Sequence, residues 1–181
     1  MTRSDGLGIL QRWQHRCGVV VKSGFLILTV LLVSLPTLAQ DVQYQGHTLE
    51  VDGAQEARPV LRMAGTQYSI SGTALQIAQK ARGCLARTPG ATLLPDDGSG
   101  RLAADLRVEY RSFLSAYGVR SRLELEAGDG RFSITQSELG RAASAGGDGG
   151  ETYVPIAENG GDKALDALIE AETRIVDCLY R

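Results

Sequence analysis

Histidine is nearly absent from this chain of 181 residues, which carries only His15 and His47. A monomer with so few cannot build a histidine-rich metal centre, and His47 is expected at the surface rather than in catalysis. Cysteine is scarce too: Cys17, Cys84 and Cys178, with no Cys-x-x-Cys pair, which leaves out that redox motif. No serine sits in a nucleophile-elbow context, since Gly98-Ser99-Gly100 reads as a turn. Gly146-Gly-Asp-Gly-Gly150 lacks the lysine and the following helix of a nucleotide loop. Gly72-Thr-Ala74 opens a helix whose free N–H groups could hold an anion, but such a site alone is a weak signal. No catalytic residue, cofactor or metal site is expected.

Long apolar runs are also missing, with one exception. Phe25–Leu35 is apolar and uncharged, after a flank carrying Arg3, Arg12, Arg16 and Lys22 against Asp5 alone. Pro36-Thr-Leu-Ala-Gln40 follows. The run is short for a bilayer core of roughly 30 Å, which takes about 20 residues to cross. Residues 1–39 therefore read as a signal sequence cleaved after Ala39 or Gln40. The alternative is an uncleaved anchor; either way the rest of the chain is placed outside the cytoplasm. A periplasmic or secreted location is expected, with no stable membrane insertion after cleavage. Cys17 precedes the apolar run, where a lipid-bearing cysteine would follow it.

The leader conceals part of the acidity. Setting aside its four cations and one acid takes the formal charge from −2 to −5. That balance argues against nucleic acid and against anionic lipid; plain solubility is the simpler meaning. The remainder keeps two cysteines, Cys84 and Cys178. Outside the cytoplasm they are expected to pair as a structural disulfide. Two buried free thiols, a reactive thiol, or a bond to another chain are the alternatives.

Along the chain, residues 40–58 are polar and form a lead-in or a short hairpin. A single α+β domain is expected over 59–181. Pro59–Met63 and Gln67–Ile70 read as short strands. Thr73–Ala86 is a helix, with Ala74, Ile77, Ala78, Ala81, Cys84 and Leu85 on one side; Ser71 or Thr73 could cap it. Ala91–Leu94 is a short strand, followed by a turn at 95–100. Leu102, Ala104, Leu106, Val108 and Tyr110 then alternate with Ala103, Asp105, Arg107, Glu109 and Arg111, the period of a strand with one wet face. Phe113, Leu114, Tyr117 and Gly118 bend or end it. Val119–Ala127 and Arg131–Thr135 alternate likewise and read as a hairpin, with Gly128-Asp129-Gly130 as its tight connection. Residues 140–151 are glycine-rich and read as a loop. Asp162–Leu179 is the longest helix, with Leu165, Leu168, Ile169, Ile175, Val176 and Leu179 as its stripe, interrupted by Glu172.

Strand, helix, four strands, helix is the resulting order: an antiparallel sheet of about five strands with two helices on one face. This arrangement resembles uncharacterised bacterial exported proteins with a TATA-binding-protein-like (TBP-like) fold. The resembling parts are Tyr68-Ser-Ile-Ser-Gly-Thr-Ala-Leu75, Gly100–Tyr110, Gly130-Arg-Phe-Ser-Ile-Thr135 and the last helix. The resemblance implies a chain topology over about 67–179. It implies no DNA binding, since folds host unrelated functions.

Carboxylates are the remaining source of chemistry. Asp96, Asp97 and Asp129 offer too few oxygens in the right order for a calcium loop. Glu109, Glu124 and Glu126 could face one another, but Arg107, Arg120 and Arg122 would neutralise them. The face made by Arg107, Glu109, Arg120, Arg122 and Glu124 is expected instead to meet a protein partner, such as another envelope protein, as a noncatalytic or structural module. Binding of a small ligand between sheet and helices, lined by Tyr68, Tyr110, Phe113, Tyr117 and Tyr153, is the alternative. A hydrolase would need an unobvious serine. Nothing in the sequence fixes the oligomeric state.

Overall fold

The computed structural model describes residues 39–95, 101–143 and 152–181. Pro36–Arg181 form one compact unit. Its strands are β1 (Ala39–Tyr44), β2 (His47–Asp52), β3 (Val60–Ala64), β4 (Tyr68–Ser69), β5 (Ala91–Leu93), β6 (Arg101–Ser112), β7 (Ser115–Gly128), β8 (Arg131–Ala142) and β9 (Tyr153–Pro155); its helices are α1 (Ala74–Arg87) and α2 (Asp162–Tyr180). One antiparallel sheet runs β1-β2-β3-β8-β7-β6-β5, with β4 and β9 pairing to β8.

The α+β class and the two helices on one face are as expected. The strand count is not: the described residues hold nine strands where about five were anticipated. β4 lies within the short strand expected at Gln67–Ile70; of the additions, β9 is three residues long, too short to show a period. The other two come from residues 40–58, which form the hairpin β1–β2 and belong to the sheet. Gln45 and Gly46 make its two-residue turn with φ of 46° and 80°, the left-handed pair that such a turn requires. The strand expected at 131–135 continues to Ala142, so the glycine-rich loop begins later than 140; residues 144–151, like the acidic turn at 96–100, lie outside the described residues.

Alternation decides which face is dry. Leu102, Ala104 and Leu106 on β6, Val119, Leu123 and Leu125 on β7, and Phe132 and Ile134 on β8 all point inward. Against them pack Ile77, Ala81 and Leu85 of α1 and Leu165, Leu168, Ile175 and Leu179 of α2. Each fully buried side chain of this size contributes about 1.5–3 kcal/mol. A bulge in β8 opposite Arg120–Arg122 inserts a residue, which allows both Gln136 and Leu139 to face inward.

Alanine, leucine and long polar side chains favour α1. Thr73 accepts from the Gln76 N–H while the Gln76 side chain bonds the Thr73 N–H, a capping box. The α2 start has no such device: Gly161 precedes it without a side-chain cap, and Asp162 is its first residue rather than its cap. The cysteines do pair. Cys84 and Cys178, with Cα atoms 5.8 Å apart, join the two helices near their C-terminal ends.

Candidate functional site

The long hairpin β6–β7 positions most of the anticipated surface. Asp105 pairs with Arg122, Arg107 with Arg120, Glu109 with Gly118, and Ala103 with Glu124, so all five residues of the expected interaction face lie on the sheet's outer side. Arg122 is tied down, its Nε 3.3 Å from Asp105 Oδ1 and its Nη1 2.8 Å from Glu138 Oε1. Arg120 lies over the Tyr153 ring, 4.6 Å from its centroid. Arg107 makes no ion pair among the described residues, and it stands directly opposite another arginine. Like charges across a strand pair destabilise it.

Beyond the sheet the hairpin becomes a finger. Pairing of β7 with β8 ends at Val119↔Arg141, whereas β6 and β7 continue through Glu109↔Gly118, Tyr110↔Tyr117, Arg111↔Ala116 and Ser112↔Ser115. The last four pairs extend about 14 Å past β8. Tyr110 and Tyr117 stack along the shaft, with centroids 5.7 Å apart. At the tip, Phe113 and Leu114 are 99 % and 103 % exposed. Phe113 also holds φ at 55°, where glycine, asparagine or aspartate is the usual occupant of a two-residue turn.

The aromatic residues expected to line a ligand cavity are therefore dispersed. Phe113 is in solvent, Tyr110 and Tyr117 flank the finger, Tyr153 lies under Arg120, and Tyr68 stacks on Phe132 at 4.9 Å. Nor do the carboxylates converge. Glu109 and Glu124 share a face but are separated by six residues of strand, about 20 Å. Asp129 is engaged elsewhere, its Oδ1 accepting the Ala74 N–H at 2.8 Å. It thereby occupies the start of α1 where an anion had been considered.

A polar cluster inside the core was not anticipated. Glu172, on the apolar stripe of α2, is 1 % exposed, and Gln136 is fully buried. Gln136 Nε2 donates to Glu172 Oε2 at 2.9 Å, and Ser121 Oγ donates to Gln136 Oε1 at 2.7 Å. Tyr68 OH donates to Glu172 Oε1 at 3.4 Å. His47, expected at the surface, is 7 % exposed instead, with Nε2 3.2 Å from Glu172 Oε1 and Nδ1 3.2 Å from the Gln45 carbonyl. The pattern that carries Leu49 and Val51 inward carries His47 with them. Beside the cluster Gly65 makes room for Glu172: a Cβ there would lie 2.5 Å from Glu172 Oε1, and the carboxylate would have to shift.

Both His47 ring nitrogens face acceptors, so the imidazolium satisfies both. Its pKa is raised above 6.5, first by the hydrogen bond to Glu172, then by that carboxylate's charge and the Gln45 carbonyl, with burial opposing. Burial and then the Glu172 charge push the Tyr68 phenol up, keeping it a donor. Because the folded pKa of His47 exceeds its unfolded value, its contribution to stability is full below about pH 6.5 and is lost as pH rises through the folded pKa. In denaturant unfolding across pH 5 to 9, the stability advantage of wild type over His47→Gln should shrink as pH rises. An advantage that grows with pH would contradict the assignment. Centred on the buried Glu172 and Gln136, the cluster fastens α2 to β2, β7 and β8.

Two further contacts hold the β1–β2 turn to α2. Tyr44 OH donates to Asp166 Oδ1 at 2.6 Å and Gln45 Nε2 donates to the same atom at 2.8 Å. Burial, then the bond to Asp166 and its charge, raise the Tyr44 pKa far enough that the phenol stays protonated. Grooves lie at the margins. One of about 810 Å³ is bounded by Ser69, Ser71, Gln76, Lys80 and Tyr180. Another of about 390 Å³ lies beside the finger, bounded by Tyr110, Ser112, Tyr117, Arg141, Asp162 and Lys163. Among the described residues no helix is long and apolar enough to cross a membrane, and no group of three or more metal-ligating side chains occurs.

No protein-family model matches this chain, and no curated protein matches it significantly. Solved structures do. A DUF4468 family protein from Bacteroides ovatus aligns at 8 % identity over 76 % of this chain and 83 % of its own, with a TM-score of 0.41. A TBP-like protein from Parabacteroides distasonis aligns at 12 % identity over 69 % of this chain and 94 % of its own, with a TM-score of 0.55. That second likeness speaks to architecture alone: the chain has a TBP-like α+β fold.

Proposed function

We propose that this chain is a noncatalytic docking module of the bacterial envelope or exterior, which meets its partner through the β6–β7 finger and the adjoining outer face. The observation that carries this reading is the tip. Phe113 and Leu114 bury nothing in the fold, and a phenylalanine at φ 55° costs the backbone about 1–3 kcal/mol. Two large apolar side chains placed where they serve neither packing nor turn geometry mark a contact surface. The disulfide and the leader sequence support an oxidising compartment. No observation favours the small-ligand alternative, since its five aromatic residues do not share a cavity.

The test uses Phe113→Gly/Leu114→Asn. This variant should fold with unchanged or slightly raised stability, because glycine relieves the positive φ at a modest entropic cost. In the producing cell, a photocrosslinking residue at position 114 should form adducts, whereas one at Thr92, on the short strand β5, should not. Equal labelling at the two positions, or none at 114, would remove the reading.

A further inference from the structure

Resting on that reading, we infer that the partner of the finger is an anionic phospholipid surface, into which Phe113 and Leu114 dip. The finger is graded from tip to base as an interfacial element is. Apolar side chains come first; the stacked pair Tyr110 and Tyr117 lies three residues behind, about 10 Å back. Tyrosine is favoured at that depth, where one edge is apolar and the other wet. Arg111 lies between tip and tyrosines.

Charge distribution selects the lipid. The chain as a whole is acidic, which weighs against such a surface, but the neighbourhood of the finger has the opposite sign. Arg107, Arg111, Arg120 and Arg122 on the hairpin, with Arg141 and Lys163 in the groove beside it, outnumber Asp105, Glu109, Glu138 and Asp162. The directly opposed Arg107 and Arg120 repel each other until an anion screens them. A cationic collar behind an apolar tip complements phosphate headgroups over hydrocarbon. An apolar pocket on a protein would need the tip alone.

The unit from residue 36 onward contains every described element and the disulfide, and the sole tryptophan, Trp13, lies before it. Leu114→Trp in that unit is therefore a unique fluorophore at the tip. Mixed with phosphatidylcholine vesicles containing phosphatidylglycerol, its emission should shift to the blue, and the shift should weaken as salt is raised. In flotation of the otherwise unaltered unit, Phe113→Gly/Leu114→Asn should lower partitioning on the order of a hundredfold. Arg111→Gln and Lys163→Gln should each lower it several-fold.

An equal shift on pure phosphatidylcholine would overturn the anionic partner. No response to any vesicle, with protein adducts at position 114 persisting in the cell, would overturn the lipid and keep the docking reading. A concentration-dependent dimer mass abolished by the tip variant, without vesicle binding, would assign the finger to a second copy and overturn the lipid. Absence of vesicle binding overturns the lipid, and absence of adducts at position 114 removes the docking reading as well.

Discussion

Replacing Glu172 by leucine should lower the unfolding free energy by about 3–5 kcal/mol, although a charge is exchanged for an apolar side chain of similar bulk. The loss arises from what is left behind. Gln136 Nε2 keeps only its 3.5 Å approach to the Leu168 carbonyl, and His47 Nε2 loses its acceptor. A buried polar group deprived of its partner costs about 1–3 kcal/mol. Removing both orphans along with their acceptor leaves only the Ser121 hydroxyl, which donated to Gln136, without its partner. His47→Leu/Gln136→Leu/Glu172→Leu should therefore recover much of the stability lost by Glu172→Leu alone. Gly65→Ala should destabilise by a different route, since its methyl group would press on Glu172 Oε1. Denaturant unfolding of the four proteins decides the matter. A loss below about 1 kcal/mol in Glu172→Leu, or a triple variant worse than the single, would mean that the cluster does not bind α2 to the sheet.

The disulfide carries the second large effect. Cys84 and Cys178 are 94 residues apart, and a loop of that order constrains the unfolded chain by about 4–5 kcal/mol in the loop-entropy account. Cys84→Ala/Cys178→Ala should lose an amount of that size in the unit from residue 36, measured by the shift in denaturant midpoint. Unfolded without reductant, the wild-type unit should take up no alkylating reagent. A shift under about 1 kcal/mol, or alkylation before reduction, would count against the bridge.

Much of the architecture was legible because its signals are periodic. Alternation of Leu102, Leu106, Leu123, Leu125, Phe132 and Ile134 defines the dry face of three strands. The three-and-four spacing of Ile77, Ala81, Cys84 and Leu85 defines the buried side of α1. The hairpin β1–β2 was harder, since β1 is an exposed edge strand and needs no apolar side. The polar cluster was within reach. His47, Ser121 and Gln136 each occupy an inward position in an alternating strand, and Glu172 interrupts an apolar stripe. Buried polar groups must find partners, so four exceptions to the pattern pointed to one another. The finger tip was legible only as a place where a strand ends. That Ser112 and Ser115 pair, leaving Phe113 and Leu114 as the whole turn, depends on register.

The strand order has a consequence for how the chain reaches this state. β1-β2-β3 and β6-β7-β8 are two meanders, each made of strands adjacent in sequence. They meet at β3–β8 alone, through Arg62↔Ser137, Met63↔Gln136 and Ala64↔Thr135. Each meander closes short loops and can form early, whereas the seam must draw together residues roughly seventy positions apart. With only three residue pairs along it, that seam is expected to be the slow step of folding. The buried Gln136, which reaches Glu172 from within the seam, would be among the last side chains to find its partner.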